Sequence, residues 1–189
     1  MGLLDAFRKD EVVGARALVC GLEPQTEDWL RSDLLVYKRF YPATTSTIYP
    51  GIPQLVDALN QKFDIVHVLC SVGPNGMIVD AKGNRMMGTD FVQKCCAANV
   101  KLLWIASNNA SDAYRSGFNP RGQKINLVMV IDRRGPFFSP FLTNLFSRMS
   151  NGETMPKAWN ELCPQVPSSV HPDAPDAIFV AGRGGVKLR

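Results

Sequence analysis

The sequence lacks any apolar run near the ~20 residues that a membrane-spanning helix needs. It has no leader pattern either, because the charges near its start follow a very short apolar stretch. The net charge is also small: the chain has 21 Lys and Arg and 17 Asp and Glu, which gives +4. The basic residues are not interleaved with aromatic residues, as they are in surfaces that bind single-stranded nucleic acid. These absences predict a cytoplasmic protein with no membrane attachment, and they disfavour a nucleic-acid partner.

Residues that ligate metals are few and badly spaced. Only His67 and His171 supply imidazole, and they lie far apart in the sequence. The five cysteines have no paired CxxC spacing: Cys20, Cys70, Cys95, Cys96 and Cys163. Residues 182–185 resemble a phosphate loop in composition alone, since no helix with a Lys-Ser or Lys-Thr pair follows. We therefore expect reduced, mostly buried thiols, no metal and no cofactor.

What the chain does have is enough apolar material for a core. With 189 residues and 46% hydrophobic content, spread along the chain, it can fold as one domain over residues 1–189. The proline-rich stretch at 164–175 is expected to cross the surface of that domain.

Hydrophobic periodicity predicts an alternation of strands and helices. Apolar, β-branched runs indicate strands at residues 12–20, 65–70, 100–106, 125–131 and 177–181. Residues 36–41, closed by Pro42, are predicted as a further strand, and Lys82-Gly83-Asn84 predicts a hairpin turn within residues 77–86. Helical spacing indicates helices at residues 23–35, 52–59, 89–99, 137–149 and 154–162. This order predicts an α/β fold, a three-layer αβα sandwich around a mostly parallel sheet.

The carboxyl ends of parallel strands are where such folds place their ligands and catalytic groups. Three of these ends carry polar residues, following the strands at 65–70, 100–106 and 125–131. The side chains expected to line a cleft there are His67, Cys70, Ser71, Gly73, Ser107, Asn108, Asn109, Asp132 and Arg133.

Two of these strand ends carry a family resemblance. Residues 63–71 read Phe-Asp-Ile-Val-His-Val-Leu-Cys-Ser, and residues 103–109 read Leu-Trp-Ile-Ala-Ser-Asn-Asn. They resemble the two catalytic blocks of the CHAT peptidase family, caspase-like cysteine proteases related to separase and gingipain. The layout up to Gly182 also follows that family. The resemblance implies a caspase-like sheet of about six strands, with the general-base histidine of the family at Ser71 and its nucleophilic cysteine at Ser107.

These two replacements bear directly on function. Cysteine proteolysis needs a thiolate and an imidazole, and two hydroxyls supply neither. The sequence therefore predicts a pseudo-protease with no catalytic residue, acting as a protein-interaction or regulatory module that binds a protein partner or itself. The resemblance implies a role in bacterial signalling or defence.

Other chemistry stays open at this point. A hydrolase would use Ser107 as nucleophile, Asp132 as acid or base, or a relocated site of His67 and Cys70, on a peptide, an ester or a nucleotide. Against the relocated site, His67 and Cys70 are three residues apart on a strand and so should point to opposite faces. His67 is more simply a structural residue. An exposed apolar patch around Phe137, Phe138 and Phe141 would instead indicate an interaction module, although this Phe-rich helix is more simply part of the core.

Overall fold

The computed structural model of the protein describes residues 10–49, 51–73, 76–107, 127–132, 138–162, 177–181 and 186–188. The proline-rich stretch at 164–175 lies outside these residues. Within the described ranges, no helix combines the length and the apolar character that crossing a lipid bilayer requires.

The described residues form eleven strands and five α-helices. In chain order the strands are β1 (Asp10–Val12), β2 (Ala17–Gly21), β3 (Thr45–Ile48), β4 (Ile65–Leu69), β5 (Ser71–Gly73), β6 (Met77–Val79), β7 (Arg85–Met87), β8 (Leu102–Ser107), β9 (Leu127–Asp132), β10 (Ala177–Ala181) and β11 (Val186–Leu188). The helices are α1 (Glu27–Phe40), α2 (Ile52–Ala58), α3 (Gly88–Ala97), α4 (Phe138–Ser150) and α5 (Met155–Leu162).

Six of the strands form a central sheet in the order β10-β9-β8-β4-β2-β3. All neighbouring strands run parallel except β10, which is antiparallel to β9. A small antiparallel sheet, β5-β6-β7, extends the predicted hairpin by one strand, and β1 pairs with β11. The predicted α/β fold class, a mostly parallel sheet of six strands between helices with a small hairpin, is confirmed.

Alternate residues of each central strand face opposite layers of helices. In β4, Ile65 and Leu69 pack in a cluster with α1, α4 and α5, whereas Val66 and Val68 pack in a second cluster with α2 and α3. We call these sides the α1–α4 face and the α2–α3 face. All five residues of β4 are buried, so strands covered on both faces explain the nearly continuous apolar runs of the sequence.

The prediction of a strand at residues 36–41 is wrong. Helix α1 continues to Phe40, and Val36 and Tyr37 form part of its buried side together with Leu30. Val and Tyr favour strands, but their spacing from Leu30 places them on one helical face against the core, and packing outweighs propensity. The helix ends before Pro42, which disfavours helical geometry at Tyr41.

The strand predicted at residues 12–20 is divided in two. The chain turns between β1 and β2 at Gly14, whose φ of 64° lies in the left-handed region that glycine adopts without strain. The Arg16 amide then donates a hydrogen bond to the Asp64 carboxylate, 3.0 Å away, which aligns the start of β2 with the start of β4.

Candidate functional site

The carboxyl edge of the central sheet brings together three chain segments that are far apart in sequence. Beyond the ends of the strands, the Leu22 amide donates to the Leu69 carbonyl at 2.9 Å, and the Cys70 amide donates to the Ala106 carbonyl at 3.0 Å. The residues that come next on these three adjacent strands are Glu23, Ser71 and Ser107. The edge that the sequence predicts as a cleft therefore carries one carboxylate and two hydroxyls.

Ser71 is bound to Glu23. Its hydroxyl oxygen donates a hydrogen bond to Oε2 of Glu23, 2.8 Å away. Glu23 is 8% exposed and Ser71 is half-buried. Because the hydroxyl is the donor, Ser71 uses its one proton in this hydrogen bond and Glu23 is the acceptor.

Ser107 ends β8 and is 1% exposed. Its register partner is Asp132, the last residue of β9. A side chain this buried gives a substrate carbonyl no direct approach to its hydroxyl. The other residues predicted near it, Asn108, Asn109 and Arg133, lie outside the described residues.

His67 lies in the core instead of lining a cleft. It is fully buried on the α1–α4 face, with Nδ1 3.1 Å from the Tyr37 hydroxyl and Nε2 3.7 Å from a carboxylate oxygen of Asp33. Its ring stacks against Trp104 at a centroid distance of 6.1 Å. The expectation that His67 lines the site is corrected: helices α1 and α4 cover this side of the strand.

His67 is also remote from Ser107. The register pairs His67 with Trp104, and Ser107 lies three residues further along β8, roughly 10 Å at the rise of a strand. The odd spacing turns the two side chains to opposite faces of the sheet. His67 is the one imidazole among the described residues, so within that part of the chain Ser107 has no imidazole base.

Cys70 and Gly73 occupy different surroundings. Cys70 is 3% exposed and packs on the α2–α3 face, opposite His67, as the three-residue spacing predicts. Burial, and to a lesser extent the charge of Glu23, raises the pKa of its thiol well above the ordinary value. A thiol in this environment is a poor nucleophile. Gly73 is half-buried in β5, where it pairs with Met77.

A second carboxylate near this edge, Asp80, is fully engaged. It follows β6, and its Oδ2 accepts hydrogen bonds from the Ile52 amide and the Asn84 side chain, both 2.9 Å away. Its Oδ1 accepts from the amides of Lys82 and Asn84, also at 2.9 Å. Asp80 thus ties the β6–β7 turn to the start of α2, and Glu23 is the carboxylate that retains bonding capacity.

Sequence reasoning missed Glu23 as a site residue, and missed Asp33 and Tyr37 as the partners of His67. Glu23 looks like the start of a helix, yet it follows a buried strand in the same way that Ser71 does, and that position was the available signal. Asp33 carries a signal as well: it is a carboxylate spaced like Leu30 and Tyr37, on the buried side of α1. Within the described residues, no group of three or more His, Cys, Asp and Glu side chains is arranged to hold a metal ion.

Comparisons with known proteins identify the fold. No protein-family model matches the sequence, and no curated protein matches it. Among solved structures, the crystal structure of caspase-1 from Spodoptera frugiperda is similar, with a TM-score of 0.50 and 12% sequence identity over 95% of this chain and 91% of that chain. At this identity the likeness concerns architecture alone: the chain has a caspase-like fold, and the resemblance to the CHAT family stays a prediction.

Proposed function

We propose that this caspase-like domain does not hydrolyse peptide bonds, and that it holds a polypeptide segment at the carboxyl edge of its central sheet as an interaction or regulatory module. The bond from Ser71 to Glu23 carries the proposal. Where the resemblance requires an imidazole that accepts a proton, this chain has a hydroxyl that donates a hydrogen bond to a carboxylate 2.8 Å away.

The position of the nucleophile supports the same conclusion. Ser107 is 1% exposed, and the imidazole nearest in sequence, His67, lies on the other face of the sheet against Tyr37 and Asp33. A serine hydroxyl becomes a nucleophile only with a base within about 3 Å. Neither hydroxyl at this edge has an imidazole base among the described residues.

The carboxyl edge of the central sheet supports the binding role. Ligands of parallel α/β sheets bind beyond the carboxyl ends of the strands, and here that edge retains polar groups without the pair needed for turnover. The bound segment belongs to a partner protein or to a second copy of this chain. The caspase-like fold, together with residues 63–71 and 103–109, supports a degenerate CHAT-like domain of bacterial signalling or defence.

A second candidate function rests on the same bond. Ser71 and Glu23 have the spacing of a nucleophile and its base, so a serine hydrolase is the alternative. A carboxylate is a far weaker base than imidazole near neutral pH, and Glu23 has no third group among the described residues that would raise its basicity. The non-hydrolytic function is therefore the better supported of the two.

Covalent labelling separates these functions. The purified chain is treated with a fluorophosphonate and, separately, with a peptide chloromethylketone, and intact mass is measured beside chymotrypsin and papain as positive controls. We expect both enzymes to be labelled and this chain to keep its unmodified mass. An adduct mapped to Ser71 or Ser107 would establish the hydrolase and overturn the proposal.

Binding is measured on the same protein with isotope-labelled amides. A pool of acetylated hexapeptides is added, and amide shifts are followed at residues 21–23 and 70–73. We expect saturable shifts confined to this edge and intact peptides afterwards by mass spectrometry. Cleaved peptides, or shifts absent from this edge, contradict the proposal.

A further inference from the structure

A groove lies at the amino edge of the central sheet, the edge opposite to the candidate site. Its walls come from the end of α2, the turn at Leu59–Gln61 that follows it, and the last turn of α3. Its volume is about 540 Å³, inside the ~300–1,000 Å³ typical of small-molecule sites. We call it the amino-edge groove. Its lining is apolar at four residues and cationic at two: Val56, Leu59, Phe63 and Ala98, with Lys62 and Lys94.

Backbone groups around this groove are bonded within the chain. The amides of Lys62 and Asn99 donate to carbonyls three residues earlier, at 3.2 Å and 3.0 Å respectively. The Arg16 guanidinium donates to the carbonyls of Gln61 and Lys62, at 2.8 Å and 3.4 Å. These groups are not left to pair with the main chain of a peptide, so recognition at the groove falls to its side chains.

The charges of the groove are mainly positive. Lys62 and Lys94 are both exposed, and no Asp or Glu of the described residues forms an ion pair with either one. Asp64 also lines the groove, but its Oδ2 accepts a hydrogen bond from a backbone amide at 3.0 Å. Lys101 donates to the Asn99 side-chain oxygen at 3.0 Å, which places a further cation beside the groove. Positive charge thus borders an apolar floor.

We propose that the amino-edge groove binds a small organic acid, whose carboxylate meets Lys62 and Lys94 and whose apolar body packs against Phe63. A carboxylate held beside apolar surface is attracted to an ammonium more strongly than in open water, because less solvent screens the pair. The site is separate from the proposed function: the five residues of β4 put about 17 Å between the two edges of the sheet.

The test uses naphthaleneacetate and naphthaleneacetamide, two ligands of one shape that differ in the negative charge. Acetate supplies the charge without the apolar body, and Ac-Ala-Glu-Phe-Ala-amide offers both groups on a polypeptide. Affinities are measured from the amide shifts of residues 59–64 and 94–99. We expect naphthaleneacetate to bind about tenfold more tightly than each of the other three. Its preference over the neutral amide should shrink as salt rises from about 20 mM to about 300 mM.

Variants assign the preference to the two lysines. Lys62→Gln and Lys94→Gln should each weaken the binding of naphthaleneacetate, and the double variant should bring it to within about twofold of the neutral amide. Lys82→Gln, the same change in the β6–β7 turn, should keep the full preference. All three side chains are exposed, so these variants should fold, and an amide spectrum unchanged outside the groove verifies it.

Each outcome decides the proposal. Saturable shifts at the groove, with a preference that the double variant loses and Lys82→Gln keeps, support it. Equal affinity for the acid and its amide, a preference that survives in the double variant, or no shift at these residues overturns it. Tighter binding of the peptide than of naphthaleneacetate also overturns it, because the groove would then be a polypeptide site. None of these results bears on binding at the carboxyl edge, which is read at residues 21–23 and 70–73.

Discussion

The Nδ1 atom of His67 lies 3.1 Å from the hydroxyl of Tyr37, and both side chains are completely removed from solvent. The contact joins the centre of the sheet to helix α1 across thirty positions of sequence. Asp33, one turn earlier on the same helix, accepts a hydrogen bond from Ser139 of α4 at 3.2 Å. A buried polar network therefore connects β4, α1 and α4 on the α1–α4 face.

The first prediction concerns this network. Asp33→Ala should lower the free energy of unfolding by about 2–4 kcal/mol, because it removes a buried carboxylate that accepts a hydrogen bond from the Ser139 hydroxyl and lies 3.7 Å from Nε2 of the buried His67. Urea unfolding followed by circular dichroism measures the change. Asp28→Ala, on the exposed side of the same helix, is the control and should change the value by less than about 0.5 kcal/mol. A loss below about 1 kcal/mol for Asp33→Ala would contradict the network's structural role.

The second prediction concerns Asp80 and pH. Desolvation raises the pKa of this carboxyl, but the hydrogen bonds from Asn84, Ile52 and Lys82 outweigh it and hold the pKa below its ordinary value. Asp80→Asn should therefore cost about 1–2 kcal/mol at neutral pH. A folded-state pKa below the unfolded value of about 3.9 means that the stabilisation is complete above that pH and is lost as the pH falls through the folded value.

Unfolding midpoints of the two proteins across pH 7 to about pH 3 check this. The difference between the unmodified protein and Asp80→Asn should stay constant down to about pH 4 and then shrink. Asp57→Asn, at an exposed position of α2, controls for the loss of a negative charge. A difference that grows on acidification has the wrong sign for a lowered pKa and would refute the assignment.

The third prediction concerns a close approach at the end of β2. A Cβ atom on Gly21 would overlap the hydroxyl of Thr26, which is itself 3% exposed and bonded to the Glu23 carbonyl. Gly21→Ala should destabilise the fold by about 2–3 kcal/mol. Thr26→Ala alone should cost about 1 kcal/mol, because it removes that bond.

A double-mutant cycle tests the overlap itself. When Thr26 is already alanine the hydroxyl is absent, so adding Gly21→Ala should cost at least about 1 kcal/mol less than it does in the unmodified protein. Additive effects of the two substitutions would show that the clash does not account for the loss.

The fourth prediction concerns the thiols. Burial raises the pKa of Cys20, Cys70 and Cys95, so these three should resist Ellman's reagent at pH 8. Cys96 is half-buried and should react. Of the five cysteines in the chain, at most two should therefore react within minutes in the native protein, and all five in denaturant. Cys96→Ala should lower the native count by one, whereas three or more fast thiols would contradict the packing.

The sequence predicts the sheet well because each central strand is covered on both faces. A strand such as β8 shows nearly continuous apolar residues, and the boundaries of β10 follow directly from its short apolar run. Alternation along β4 also predicts correctly that His67 and Cys70 lie on opposite faces. The continuous runs and the alternation are both local patterns along a single strand, and they need no knowledge of the partner strand.

The candidate site is less predictable because its contacts are not local. The bond from Ser71 to Glu23 joins residues 48 positions apart, and the partners of His67 come from a helix whose second half looks like a strand. No spacing rule relates Glu23 to Ser71; only the order of β2 and β4 in the sheet makes them neighbours. The sequence shows where each strand ends. The order of the strands in the sheet decides which of those ends lie side by side.

The pairing of β1 with β11 has a consequence for the order of assembly. Asp10 lies opposite Val186 and Val12 opposite Leu188, so β1 is synthesised long before the strand with which it pairs. During synthesis β2, β3 and β4 can associate as soon as residues 17–69 have emerged, while β1 waits until β11 has emerged. Pairing of β1 with β11 encloses the residues between them in a loop, and it can only follow translation of β11.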